Sequence, residues 1–170
     1  MYAQLTSPRI TVPPRLQATV LCQNHTFRAV AMAFDMRILL VDDHTAYREF
    51  IKSLLCATSG LRVVGEADDG LDAVAKAQEL SPDVVLMDVG LPQLNGFEAA
   101  RRILETVPSS RIIFLTQEND PEAVTAALKS GAWGYVVKQG VPGDLLDALA
   151  AIGQDKRFVS KGLLKNTKTD

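Results

Sequence analysis

The chain has 170 residues, 47% hydrophobic and 22% charged, with a net charge of −2. That length suits one domain with excess at its ends, and the charge balance leaves no nucleic-acid footprint over the whole chain. The two cysteines, Cys22 and Cys56, form no C-x-x-C pair, which argues against a disulfide framework or a zinc site and fits a reducing compartment.

Residues 1–35 carry Arg9, Arg15 and Arg28 but no acid until Asp35, and Pro8, Pro13 and Pro14 interrupt any long element. They read as a poorly ordered leader, or as sequence ahead of a start at Met32 or Met36, with a short helix over 27–34 as an alternative. The apolar run Ala29 to Phe34 is too short for a secretory signal core. No apolar stretch approaches the roughly 20 residues of a membrane helix.

From Met36 the chain alternates strand and helix. The apolar runs predict buried parallel strands over 36–41, about 61–67, 83–87, 111–116 and 134–138. Helices are predicted over about 45–58, 70–80, 96–107, 121–130 and 142–153. In the first, Tyr47, Phe50, Ile51, Leu54 and Leu55 fall at helical spacing; in the second, Leu71, Val74, Ala75, Ala77 and Leu80 do. Pro121 suits a first helical position and Gly131 a C-terminal cap. The tail over 156–170, with Lys156, Arg157, Lys161, Lys165 and Lys168, reads as a solvated end or a truncated linker. The expected fold is α/β: a doubly wound, five-stranded parallel sheet of flavodoxin-like order 2-1-3-4-5, with helices on both faces.

Four of these strands end in polar residues: Asp42-Asp43, Asp88, Thr116 and Lys138. Ligands of open parallel sheets bind beyond the carboxyl ends of the strands, so the pattern gathers three carboxylates, a hydroxyl and an ammonium at one edge. The three acids would repel one another in a shared cleft. A divalent cation removes that conflict, and oxygen-only ligands suit Mg²⁺. Asp88 is the candidate nucleophile, accepting a phosphoryl group as an acyl phosphate. Lys138 offers a point charge and Thr116 a hydroxyl to the phosphoryl oxygens. Taken singly, each has a plainer reading: Asp43 and Thr116 as caps, Lys138 as an exposed strand end, Tyr135 as core or switch. Gly90 leaves the approach to Asp88 without a side chain, and Asn95-Gly96 signals a turn. His44 and His25 have no partner spacing and read as bland.

Val41-Asp-Asp-His, Asp88 followed by Leu91-Pro92 and Asn95-Gly96, Thr116, Gly131-Ala and Tyr135-Val-Val-Lys138 together resemble the receiver domain of two-component response regulators. Leu61-Arg-Val-Val-Gly-Glu-Ala with Asp69-Gly70 is similar to the NarL/LuxR branch. The resemblance implies a receiver domain over 36–155 in a cytoplasmic signalling protein, not an enzyme. Asp88 would take a phosphoryl group from a sensor histidine kinase. Asp42, Asp43, Asp88 and the Gly90 carbonyl would hold Mg²⁺. Thr116 and Tyr135 would be the switch pair, and Lys138 the phosphate contact. The face made by the fourth helix, fifth strand and fifth helix would be the output surface, with a homodimer forming on phosphorylation. The branch usually continues into a helix-turn-helix domain; 13 residues beyond Arg157 cannot make one, so DNA binding is not carried over to this chain. Gln117 stands where the family has a small residue, and Gln139 replaces the common proline.

Among rivals, a Mg²⁺-dependent phosphatase with an aspartate nucleophile expects a second acid two residues on, where Gly90 stands. A nucleotide-binding module lacks its glycine-rich loop after the first strand. A degenerate receiver used only for protein contacts is opposed by the complete acid set.

Overall fold

The structure, a computed structural model, describes residues 35–117 and 121–160, without the side chains of 121–123. Residues 1–34 of the predicted leader, with its alternative helix, and residues 161–170 lie outside the described residues. The strands are β1 (Met36–Val41), β2 (Leu61–Ala67), β3 (Val84–Asp88), β4 (Arg111–Thr116), β5 (Gly134–Val137) and β6 (Phe158–Val159). The helices are α1 (Thr45–Cys56), α2 (Gly70–Leu80), α3 (Gly96–Thr106), α4 (Pro121–Lys129) and α5 (Gly143–Gly153). All strand pairs are parallel, in the order β2-β1-β3-β4-β5-β6. The flavodoxin-like order is therefore as expected, with one strand more.

Side chains alternate across each strand, and the alternation divides the core in two. Ile38, Leu40, Val84, Leu86, Ile113, Leu115 and Val136 pack under α1 and α5. Leu39, Val41, Val85, Met87, Ile112, Phe114 and Tyr135 pack under α2, α3 and α4. The polar residues at the strand ends obey the same alternation. Asp42, Asp88 and Lys138 have the parity of the α1/α5 side, whereas Thr116 has the parity of Tyr135.

Two large residues expected to face inward do not. Phe50 and Leu71 are 45% and 48% exposed. The buried stripe of α2 runs through Gly70, Ala73 and Ala77, small residues that let the helix lie close to its neighbours, so Leu71 is rotated outward. In α1 the stripe runs through Ile51, Leu54 and Leu55, and Phe50 falls at its margin, its ring 6.1 Å from that of Tyr47.

Side-chain acceptors secure the starts of α2 and α3. Asp69 Oδ1 accepts the N–H groups of Leu71 and Asp72, both at 2.8 Å, and its Oδ2 accepts from Gln93. Asn95 Oδ1 accepts the N–H of Glu98 at 2.9 Å, so Asn95-Gly96 is a helix start rather than a turn tip. Replacing Asp69 with Ala removes both capping bonds, and urea denaturation should show a loss of about 1 kcal/mol. An unchanged midpoint would show that this cap adds nothing. Gly131, at φ +96°, occupies the left-handed region that the expected cap requires.

The tail over 156–160 is not a frayed end. Phe158 N–H donates to Trp133 O and Ser160 N–H to Tyr135 O, both at 3.0 Å. The buried Ser160 hydroxyl oxygen accepts the Val137 N–H at 3.1 Å. Backbone pairing, with Phe158 and Val159 packed against the two halves of the core, extends the folded unit beyond residue 155.

Candidate functional site

At the carboxyl edge of the sheet, β1 delivers Asp42 and Asp43, β3 delivers Asp88, and a 3-10 turn over Lys138–Gly140 after β5 delivers Lys138. Lys138 Nζ lies 2.6 Å from Asp42 Oδ2 and 2.9 Å from Asp88 Oδ1. Asp42 is fully buried and Asp88 is 6% exposed. Asp43 sits further out, and its Oδ1 is 2.7 Å from His44 Nδ1. Asp42 is held from behind: its Oδ1 accepts the His44 N–H at 2.9 Å, and its carbonyl accepts from Arg48 Nη1 at 2.5 Å.

Charge is unevenly matched here. Burial pushes the Asp88 carboxyl above its ordinary value, and the hydrogen bond and charge of Lys138 only partly offset this. For Lys138, burial acts to lower the ammonium's pKa, but its bonds to Asp42 and Asp88 outweigh burial and hold it above the usual lysine range. One ammonium thus bridges two carboxylates, with Asp43 a third acid at the same edge. The donor atoms are oxygens, and the surplus is negative, so the residues present fit a hard divalent cation.

Gly90 supports the approach expected of it. A Cβ built there would meet only Asp88 Oδ2, at 3.6 Å, so the oxygen not held by Lys138 faces the residue without a side chain. Thr116 is buried at the end of β4, on the other side of the sheet from Lys138 by parity. Tyr135, open between switch and core in the sequence, is 1% exposed, with its ring 6.4 Å from that of Phe114. Its side chain is already inside the core.

Two residues escaped the sequence reading. His44, read as bland, contacts both neighbouring acids. Its Nδ1 and the carboxylates of Asp42 and Asp43 converge within 4.8 Å, a set that does not include Asp88. Tyr47, read only as helix core, has the Lys138 ammonium 4.6 Å from its ring centroid. Its hydroxyl is buried without a hydrogen-bond partner among the described residues. Burial, with the charges of Asp42 and Asp88, pushes this phenol well above its ordinary value, so it is protonated at neutral pH. The available signal was position: the first turn of a helix that starts at a strand's carboxyl end overlooks whatever that edge holds.

Known proteins share the sequence and fold of this region. Residues 38–150 match the response regulator receiver domain. The response regulator GacA of Pseudomonas viridiflava is 38% identical over 125 residues, which cover 74% of this chain and 58% of that protein. The nitrate/nitrite response regulator protein NarL of Escherichia coli K12 is 38% identical over 126 residues, with the same coverages. The chain spans about half the length of the curated relatives it matches. Among solved structures, a LuxR-family two-component response regulator from Aurantimonas sp. SI85-9A1 superposes with a TM-score of 0.73 at 36% identity, covering 76% of this chain and 93% of that one. The isolated REC domain of RcsB from Salmonella enterica serovar Typhimurium, in the presence of phosphomimetic BeF3-, gives 0.73 at 30% identity, covering 77% and 97%. No helix among the described residues is long and apolar enough to cross a membrane. With its parallel sheet, its acids at the ends of β1 and β3, its lysine after β5 and these relatives, the chain belongs to the response regulator receiver domain family.

Proposed function

We propose that this chain is the phosphoacceptor of a two-component system in the cytoplasm, with Asp88 taking a phosphoryl group from a sensor histidine kinase. The observation that carries this reading is the Lys138 ammonium bridging Asp42 and Asp88 at the switch-point edge. Asp88 Oδ2, on the Gly90 side, is the attacking oxygen. Its bond to phosphorus forms as the bond to the donor's leaving group breaks. Lys138 and the Thr116 hydroxyl then meet the phosphoryl oxygens, where negative charge is spread. Asp42, Asp43, Asp88 and the Gly90 carbonyl would hold Mg²⁺, which when bound offsets the surplus carboxylate charge and shields the entering phosphoryl oxygens. The chemistry is confined to the chain's own aspartate, so the protein is a signalling receiver rather than an enzyme acting on outside substrates.

The output surface we assign is the face of α4, β5 and α5. Thr116 and Tyr135 share one side of neighbouring strands, where Phe114 pairs with Tyr135 and Thr116 with Val137. A shift of Thr116 toward a phosphoryl group therefore acts on the side of the sheet that holds Tyr135. Because Tyr135 is already buried, the switch stabilises an inward ring rather than creating one, in keeping with selection between existing states. One relative's structure is described as two RcsB dimers bound to two parallel DNAs. For this chain we propose a phosphorylation-dependent homodimer through the same α4-β5-α5 face, and no direct DNA contact by residues 36–155.

The test is labelling by acetyl phosphate with and without Mg²⁺, with the modified residue located by mass spectrometry. Asp88 should be modified only when Mg²⁺ is present. Labelling at another residue, or labelling undiminished by a chelator, would overturn the reading. In an isothermal titration, Asp43→Ala should weaken Mg²⁺ binding more than Asp42→Ala. Equal Mg²⁺ affinity in wild type and Asp43→Ala would remove Asp43 from the ligand set.

A further inference from the structure

Among the described residues, three groups hold the Lys138 ammonium, and two of them are the carboxylates of Asp42 and Asp88. Under the function proposed above, on which this inference rests, both carboxylates acquire other duties when the site is loaded. Asp42 would be a ligand of the cation, and Asp88 would become an acyl phosphate. The lysine must keep its charge and place through that exchange, in a site where its side chain is only 8% exposed. The third group is the ring of Tyr47, 4.6 Å away. The face of an aromatic ring attracts an ammonium through its quadrupole, and more strongly where water is excluded. That attraction depends on neither metal nor phosphoryl group.

We propose that Tyr47 is a positioning residue for phosphoryl transfer, its ring acting as a permanent seat for the Lys138 ammonium. Three observations converge on it. The ring is placed by α1, in the first turn after Asp43 and His44, and packs against the core under that helix. The Phe50 ring abuts it at 45°. The hydroxyl has no hydrogen-bond partner among the described residues, so none of them uses this side chain as a polar anchor. What remains in use is the ring. A lysine stem has several rotatable bonds, and without the ring its head is held only by two carboxylates that take on other partners when the site is loaded.

The experiment varies the ring's electrostatics at constant shape. Residue 47 is made Phe and then mono-, di- and trifluorinated Phe by unnatural amino-acid incorporation, with Tyr47→Leu as a non-aromatic filler. Acetyl phosphate labelling rates are measured at saturating Mg²⁺. In parallel, the Lys138 Nζ and Cε resonances are followed by NMR in protein free of metal. Tyr47→Phe should keep the labelling rate within about twofold, whereas trifluorination and Leu should lower it by about threefold to thirtyfold, the range between an exposed and a desolvated cation–π contact. The Lys138 resonances should lose their ring-current shift in Tyr47→Leu while the thermal midpoint of the fluorinated series stays level. A labelling rate flat across fluorination overturns the proposal, as does a Tyr47→Phe loss equal to that of Leu, which would make the hydroxyl the active part. Absence of labelling in the wild type is a failure of the phosphoacceptor reading instead. The ring seat is then judged by the metal-free NMR alone, where unshifted Lys138 resonances overturn it.

Discussion

Asp88→Asn is expected to reduce Mg²⁺-dependent labelling to background while making the metal-free protein more stable. An amide has no carboxylate oxygen with which to form an acyl phosphate, so no residual transfer through residue 88 remains. The stability gain comes from the crowding of carboxylates. Burial raises the Asp88 carboxyl above its ordinary value in the folded state, against the opposing pull of Lys138. The folded protein therefore holds this proton at pH values where the unfolded chain has released it. Between those two values stability falls as pH rises, and above them the folded state carries a buried, incompletely matched charge. Asn removes that charge and leaves Lys138 paired with Asp42. Thermal midpoints in a chelating buffer should be higher for the variant at neutral pH. The difference should shrink as pH falls through the ordinary carboxylate range, where Asp88 is protonated in both states. A variant less stable than wild type at pH 7 would show that Asp88 is a structural partner of Lys138 first.

A large loss of stability is expected from Gly96→Ala. A Cβ at Gly96 would lie 2.1 Å from the Asp88 carbonyl oxygen and 3.0 Å from Val89 Cα, and one at Gly70 would lie 2.0 Å from the Leu94 carbonyl oxygen. The obstacles are backbone atoms, which cannot swing aside as a side chain can. The loop between β3 and α3 is thus gripped between two helix starts, with Gly96 N–H donating to Val89 O at 3.1 Å. Relief requires α3 to back away from the strand that carries Asp88. Urea denaturation should show a loss of about 3 kcal/mol or more for Gly96→Ala, with slowed labelling, since Asp88 moves with its backbone. Gly143→Ala is the control. Nothing lies within 4 Å of its Cβ position, so it should be neutral or stabilise by up to about 1 kcal/mol. A Gly96→Ala midpoint matching that of the control would mean that the loop yields freely.

The parts of this protein that could be read from its sequence are those fixed by period and position. Runs such as Ile38-Leu-Leu-Val and Val84-Val-Leu-Met are buried on both sides, and such runs leave little choice of structure. Once their order is set, Asp42, Asp88 and Lys138 must meet. What stayed hidden depends on contacts that no period encodes. Leu71 points outward because the smaller Gly70, Ala73 and Ala77 take the close-packed side of α2. Tyr47 belongs to the site because its helix begins beside Lys138, 91 positions later in the chain (138 − 47). His44 finds its partners in the two residues immediately before it, through a bend that spacing rules for metal sites do not cover.

The two-residue β6 also bears on solubility. Each parallel sheet has two outer edges, and a bare edge is a template for pairing with another chain. On one side the sheet ends in β2. On the other, Phe158 to Ser160 occupy the carbonyls of Trp133 and Tyr135 and the N–H of Val137. A chain shortened after residue 155 would keep every element drawn from the sequence and lose this cover. β5, which carries Tyr135 into Lys138, would then offer free donors and acceptors to the next molecule. Such a fragment would be prone to insolubility from edge-to-edge stacking, and the uncovered strand is the one that leads into Lys138.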